Sequence, residues 1–175
     1  GMGRIMVNAG SARSYGGELS FQSLWFDKKL DIYGSYGYTH ATFRHYDGGS
    51  ASGNEQLDYS GNYVPLVPMH TFSLATDYTF SLVHPDAFSL QGITVGAGLT
   101  GAGKIYWTEK NDVSQDIYAA LRAHVNFNFG RMEIDFWGKN LTNTHYNTFY
   151  FENMGNGFAQ VSKPIQFGVD LRLHL

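Results

Sequence analysis

Two carboxylates, Glu133 and Asp135, stand two residues apart in the segment MEIDFWGKNL. Residues at positions i and i+2 of a strand share a face and lie about 7 Å apart, a spacing that could serve acid and base catalysis of hydrolysis. The same two carboxylates could instead belong to a polar wall, neutralised by bases such as Arg122 or Arg172 on neighbouring strands. We favour the wall, and the sequence therefore predicts a protein that is not an enzyme.

The other residues that could support chemistry do not have the required spacing. The seven histidines show no metal-ligand spacing, so neither a metal site nor a cofactor is predicted. The segment GAGLTGAGK lacks the G-x-x-x-x-G-K-[ST] spacing of a phosphate-binding loop. Cysteine is absent, which excludes disulfides and thiolate metal ligands. A net charge of -3 gives no indication of a nucleic-acid partner.

Alternation of apolar and polar residues identifies the elements that carry these side chains. In the C-terminal segment IQFGVDLRLHL, Phe167, Val169 and Leu171 fall on one parity, and Asp170 and Arg172 fall on the other. Because successive side chains of a strand point to opposite faces, this segment is predicted to be a strand with one apolar and one polar side. The pattern recurs along the chain and predicts about eight such strands, beginning with RIMVNAG, and no helix.

The connections between these strands alternate in length. Short links are predicted at 27–29, 82–91 and 129–131, and longer ones at 44–69, 108–116 and 143–162. An up-and-down meander places all short links at one end, with Gly130 and Leu175, and all long links at the other. This asymmetry is typical of outer-membrane barrels, which have short periplasmic turns and long extracellular loops. We predict an all-β fold: one domain over residues 1–175, an antiparallel meander that closes as a β-barrel.

The two faces of the predicted sheet differ in chemistry. The polar parity carries acids and bases that suit the wall of a wet lumen, namely Glu18, Asp77, Arg122, Glu133, Asp135, Lys139, Asp170 and Arg172. The apolar parity adds aromatic residues near the strand ends, which resemble the girdles at lipid interfaces: Tyr36, Tyr38, Tyr78 and Phe80. Alternation does not tell which face is convex, so a soluble barrel with an apolar core is a second interpretation.

Three motifs, in order along the chain, resemble one known family. VNAGSARSYGGELSFQ, NYVPLVPMHTFSLATDYTF and WGKNLTNTHYNTFYF are similar to segments of TonB-dependent outer-membrane receptors of the siderophore or haem type. The segment QFGVDLRL also resembles the terminal signal that the barrel assembly machinery reads, with Gln166, Gly168, Leu171 and Leu173 in its positions. The chain departs from that signal at Leu175, where many such proteins end in an aromatic residue. The resemblance spans nearly the whole chain.

The resemblance implies a receptor barrel of about 22 strands, with a plug domain that TonB engages. This chain matches only the last strands and contains no plug or TonB box, so we expect a wall segment that does not transport alone. The implied partners are outer-membrane lipid, the barrel assembly machinery, TonB through a plug, and an iron chelate or similar nutrient. The implied location is the outer membrane of a Gram-negative cell.

A self-contained barrel of about eight strands, with a structural, adhesin-like or ligand-binding role, is the alternative function. A free sheet edge invites pairing with another strand. We therefore expect the first strand, near Ile5 to Val7, to pair with the last, near Phe167 to Leu171, or with a second copy of the chain.

Overall fold

The computed structural model describes residues 10–46, 58–82, 89–153 and 155–174. These residues form strands and turns, and no helix among them has the length and hydropathy to cross a membrane. The strands are β1 (Ser11–Trp25), β2 (Leu30–His45), β3 (His70–Ser81), β4 (Gly92–Ala102), β5 (Ile105–Tyr106), β6 (Ser114–Gln115), β7 (Tyr118–Asn128), β8 (Met132–Lys139), β9 (Asn147–Asn153), β10 (Asn156–Val161) and β11 (Gln166–Leu173).

The main sheet is an antiparallel meander of seven strands in the order β1-β2-β3-β4-β7-β8-β11. The hairpins β5–β6 and β9–β10 extend from its long connections as separate two-stranded sheets. The predicted all-β antiparallel fold is confirmed. The predicted first strand, RIMVNAG, lies outside the described residues.

Register places the tight turns at one end of the sheet. Trp25 pairs with Leu30 across the turn at 26–29, in which Phe26, Asp27 and Lys28 all adopt positive φ. Gly130, with φ of 76°, occupies the second turn, and the His174 N–H donates to the Arg131 carbonyl oxygen at 2.9 Å. The C-terminal strand therefore ends beside Gly130, and the connection after β2 starts at the opposite end, as predicted; Leu175, which the prediction also placed beside Gly130, lies outside the described residues.

One face of the sheet is apolar and exposed. Ile134 lies opposite Leu171, and Phe136 lies opposite both Val169 and Val125. The same face exposes Leu19, Phe21, Leu74, Val95, Phe136, Phe167, Val169 and Leu171. The buried residues of the main strands, Ala41, Phe43, Ala75 and Ala102, lie instead on the polar face. This arrangement is the reverse of a sheet that folds around an apolar core in water.

Closure through a first strand near Ile5 to Val7 stays a prediction, because those residues lie outside the described part. Among the described residues β1 pairs with β2, β11 pairs with β8, and these two strands form the edges of the seven-stranded sheet. The structure corrects one expectation. The segment 143–162, predicted as a loop, contains the β9–β10 hairpin, and 108–116 includes β6. Consecutive aromatic residues at Phe149, Tyr150 and Phe151 leave no alternation from which β9 could be predicted.

Candidate functional site

All eight residues of the predicted polar wall lie on one face of the sheet. Pairing across β8 and β11 places Asp135 opposite Asp170 and Glu133 opposite Arg172. Asp77 and Arg122 reach the same face through β4, where they pair with Gly96 and Gly98. Lys139 pairs with Gln166. Glu18 pairs with Gly37 on β1 and β2, at the opposite edge of the sheet. Glu18 is therefore remote from the others, which gather on β3, β7, β8 and β11.

A histidine occupies the centre of this group. His124 Nε2 lies 3.0 Å from Asp77 Oδ1, and His124 Nδ1 lies 3.7 Å from Asp135 Oδ1. The Asp135 Oδ1 atom is buried and forms no hydrogen bond within the described residues. A side chain at Gly96 would occupy the space between Asp77 and His124, so the glycine permits their contact. The imidazole thus joins carboxylates that come from two different strands.

Trp137 also lies on the polar face, which the sequence analysis did not identify. Its indole Nε1 donates to Asp170 Oδ2 at 3.0 Å, and Lys139 Nζ lies 4.6 Å from the centroid of its ring. The ring covers Gly168, because a Cβ at that position would overlap the indole. Trp137 has the same parity as Asp135 and Lys139, and this parity could have predicted its place on the polar face. This packing gives Gly168 a structural role in addition to its place in the predicted assembly signal.

Glu133 lies nearer the end with the tight turns and is neutralised there. Arg172 Nη1 is 3.2 Å from one carboxylate oxygen, and His174 Nε2 is 3.2 Å from the other. Arg172 was one of the two bases predicted to neutralise these carboxylates, and it pairs with Glu133, whereas Asp135 contacts His124 instead. The other predicted base, Arg122, forms no ion pair among the described residues and is exposed.

The polar residues surround a recess of about 270 Å³. Its lining includes Asp77, Arg122, His124, Asp135, Trp137, Lys139 and Asp170. Gly98 lets the Arg122 side chain lie flat across β4, since a Cβ there would overlap the guanidinium nitrogen Nε. The recess therefore combines carboxylate acceptors with guanidinium, ammonium and indole donors. No group of metal-ligating residues is found among the described residues.

The connections at the far end of the sheet are tied to one another. The Asn111 side chain accepts a hydrogen bond from the Tyr63 N–H at 2.7 Å and donates to the Tyr63 carbonyl at 2.9 Å. Its φ of 61° suits asparagine, which tolerates the left-handed region. Beside it, the Thr108 hydroxyl donates to Asp112 Oδ1 at 2.6 Å and lowers the pKa of that carboxyl. Residues 58–69 and 107–113 thus form one connected surface.

Comparison with known proteins agrees with this geometry. The family described as TonB dependent receptor-like, beta-barrel, matches residues 2–141. The ferrichrome outer membrane transporter/phage receptor of Escherichia coli K12 is 29% identical over 126 residues, which are 72% of this chain and 15% of that protein.

Solved receptors share the fold. The ferric yersiniabactin uptake receptor FyuA of Yersinia pestis superposes with a TM-score of 0.78 at 22% identity, covering 95% of this chain and 24% of that one. The siderophore receptor PiuA of Acinetobacter baumannii gives a TM-score of 0.70 at 24% identity, covering 91% of this chain and 21% of that one. This chain therefore spans about a quarter or less of the length of these relatives.

Proposed function

Because the chain belongs to the family of TonB-dependent receptor-like β-barrels and lies in the outer membrane of a Gram-negative cell, we propose that it forms the ligand-facing wall of a receptor for iron chelates. The observation that carries the proposal is the exposure of the apolar face together with the burial found on the polar face. A sheet of this kind is at its lowest free energy with lipid on the apolar side and a wet, filled lumen on the other.

The recess supplies the contacts that a small oxygen-rich ligand needs. Arg122 is an exposed guanidinium without an ion pair among the described residues, so it is free to donate to carboxylate or hydroxamate-like oxygens. The carboxylates Asp77 and Asp135 already contact His124, and Asp170 already accepts from Trp137. We assign ligand contact to Arg122 and Lys139, and positioning of the wall to the other residues.

The C-terminal strand has a second role in this proposal. Leu171 and Leu173 are 62% and 61% exposed on the apolar face, and Gln166 and Gly168 lie on the other face. An exposed β11 edge with this pattern is accessible to the barrel assembly machinery before it pairs with a further strand. TonB would act through a plug domain supplied elsewhere in the receptor. Within the described residues β1 and β11 do not pair with each other, which supports this wall over a self-contained small barrel, since such a barrel would have to close on itself.

Cysteine labelling tests which face is wet. The chain contains no cysteine, so Arg122→Cys and Phe136→Cys can each be introduced without background. In outer membranes we expect a small water-soluble maleimide to label position 122 and a lipophilic maleimide to label position 136. Lys110→Cys, on the loop between β5 and β6, serves as the exposed control. Preferential aqueous labelling at position 136, with protection at 122, would contradict the proposal.

A further inference from the structure

The recess on the polar face contains opposite charges that do not pair with one another. Its lining includes three carboxylates, Asp77, Asp135 and Asp170, and two cations, Arg122 and Lys139. Neither cation takes part in an ion pair among the described residues. A guanidinium that lies among carboxylates ordinarily pairs with one of them, because its planar array of donors matches two carboxylate oxygens. Other groups must therefore hold these carboxylates away from the two cations.

An imidazole and an indole are the groups that contact the carboxylates. His124 Nε2 lies 3.0 Å from Asp77 Oδ1, and His124 Nδ1 lies 3.7 Å from Asp135 Oδ1. Trp137 Nε1 donates a hydrogen bond to Asp170 Oδ2 at 3.0 Å. Each carboxylate of the recess thus has a neighbour that is neither arginine nor lysine, and the shortest of the contacts to the imidazole is the one made by Asp77.

The Asp77 carboxylate is within reach of Arg122 when the imidazole is removed. Register places Asp77 opposite Gly96 and Arg122 opposite Gly98, and these two positions of β4 lie about 7 Å apart on the polar face. A Cβ at Gly96 would overlap Asp77 Oδ1, and a Cβ at Gly98 would overlap Arg122 Nε, so both side chains lie over β4. Because both positions are glycine, no side chain of β4 separates the carboxylate from the guanidinium.

We propose that His124 is a positioning residue for Arg122: by engaging Asp77, it keeps this carboxylate from pairing with the guanidinium and leaves Arg122 available to an anionic ligand. The inference rests on the proposed function, in which Arg122 contacts the oxygen atoms of the ligand. Without the imidazole, the Asp77 carboxylate would turn across β4 to Arg122 and compete with the ligand. His124 thus determines the preference of the recess for anions without contacting the ligand itself.

Chemical modification measures whether the guanidinium is free. Phenylglyoxal reacts with arginine side chains, and peptide mass spectrometry follows its reaction at Arg122 in the protein reconstituted in lipid vesicles. We expect His124→Leu to slow this reaction about fivefold, the factor that corresponds to an ion pair worth up to about 1 kcal/mol. Adding Asp77→Asn to that variant removes the competing charge and should restore the rate. A general disruption of the wall by the leucine would not be repaired by this second substitution.

Asn126→Leu is the matched control for the loss of the imidazole. Asn126 lies on the same strand and face as His124, opposite Thr94 and Asp135, so the same change there should leave the rate at Arg122 unchanged. An unchanged rate in His124→Leu would overturn the proposal. A rate that falls in His124→Leu and is not restored by Asp77→Asn would overturn it as well, because the loss would then not come from Asp77.

Citrate binding separates this inference from the proposed function. Isothermal titration calorimetry with citrate, used as a carboxylate probe, should show binding about fivefold weaker in His124→Leu and restored by Asp77→Asn. Arg122→Gln should weaken the binding by about tenfold, since it removes a charged donor. If Arg122→Gln and the unmodified protein bound citrate equally, or neither bound it, the assignment of ligand contact to Arg122 would be wrong. The modification rates would still decide whether His124 keeps Asp77 from Arg122.

Discussion

The imidazole Nε2 of His124 lies 3.0 Å from Asp77 Oδ1, although β4 separates the strands that carry these two residues. Contact across an intervening strand requires that the residue between them have no side chain, and Gly96 meets that requirement. The hydrogen bond therefore couples β3, β4 and β7 on the polar face.

Replacing Gly96 should separate this pair. We expect Gly96→Val to destabilise the protein by about 1–3 kcal/mol, because its side chain would overlap both Asp77 and His124. Urea unfolding from lipid vesicles measures the change. Gly17→Val is the matched control, since a Cβ at Gly17 has no neighbour within 4 Å and points to the apolar side. If both variants lost the same free energy of unfolding, the loss would come from replacing glycine in a strand and not from the contact between His124 and Asp77.

A charge on the apolar face should be costly. Phe136 is 49% exposed on the apolar face and pairs with Val125 and Val169. We expect Phe136→Lys to lower the stability of the protein folded in a bilayer by up to about 2–4 kcal/mol, the cost of a lysine at the bilayer midplane. Asp135→Asn, one residue away on the polar face, provides the comparison and should cost less. A Phe136→Lys variant that folds as well as the parent protein would place that face in water.

Gly168 and Trp137 should behave as one unit. Gly168→Ala adds a methyl group where the indole lies, and it should displace the ring from Asp170. In the double variant with Trp137→Leu, we expect the alanine to be tolerated, with a coupling energy of about 0.5–3 kcal/mol in a double-mutant cycle. Additive losses would argue against this packing. Poor assembly in cells of a double variant that folds well in vesicles would instead identify Gly168 as part of the assembly signal.

The connection between Asn111 and Tyr63 can be removed without changing the backbone. Asn111→Gly retains the positive φ but loses both hydrogen bonds to Tyr63, at about 1 kcal/mol each. Amide hydrogen exchange at Tyr63 should accelerate. The Val64 amide, which donates to the Ala41 carbonyl at 3.0 Å, should keep its exchange rate. Asn111→Asp retains the acceptor for the Tyr63 N–H and should preserve its protection.

The hydroxyl of Thr108 should control the titration of Asp112. Its hydrogen bond lowers the pKa of that carboxyl from 3.8, so the contact stabilises the fold above this pH and is lost as the pH falls through the lowered pKa. Thr108→Val should raise the pKa of Asp112 toward its ordinary value, and Thr108→Ser should not. The carboxyl carbon shift followed by NMR reports both. An unchanged titration in the valine variant would assign the lowered pKa to the Asp112 backbone N–H and to Lys110, the other groups that lower it.

Period-two alternation was sufficient to predict the strands of the main sheet and the faces on which their side chains lie. It placed Asp135 with Asp170 and Phe136 with Val169, because residues of one parity share a side whatever the curvature of the sheet. For the same reason it could not tell which side is exposed. That answer came from the exposed fractions of residues such as Leu171 and Phe167, which are 62% and 72% exposed.

The site was harder to predict than the sheet. The contact of His124 with Asp77 depends on register across three strands, and no pattern within one strand contains that information. Trp137 was missed because an aromatic residue on the polar parity looks like an exception until Gly168 is seen beneath its ring. The β9–β10 hairpin was missed because it lacks alternation.

The principal contacts of every strand in the main sheet are with its immediate neighbours, and those of β9 and β10 are with each other. In such an array stability is approximately a sum of nearest-neighbour terms, as in repeat proteins. A destabilising substitution should therefore weaken the pairing of one strand with its neighbours and leave the pairing of distant strands unchanged. The β9–β10 hairpin can therefore change in sequence or length while the strands of the main sheet keep their register. The connections at this end of the molecule can thus change in length and sequence without altering the register of the main sheet.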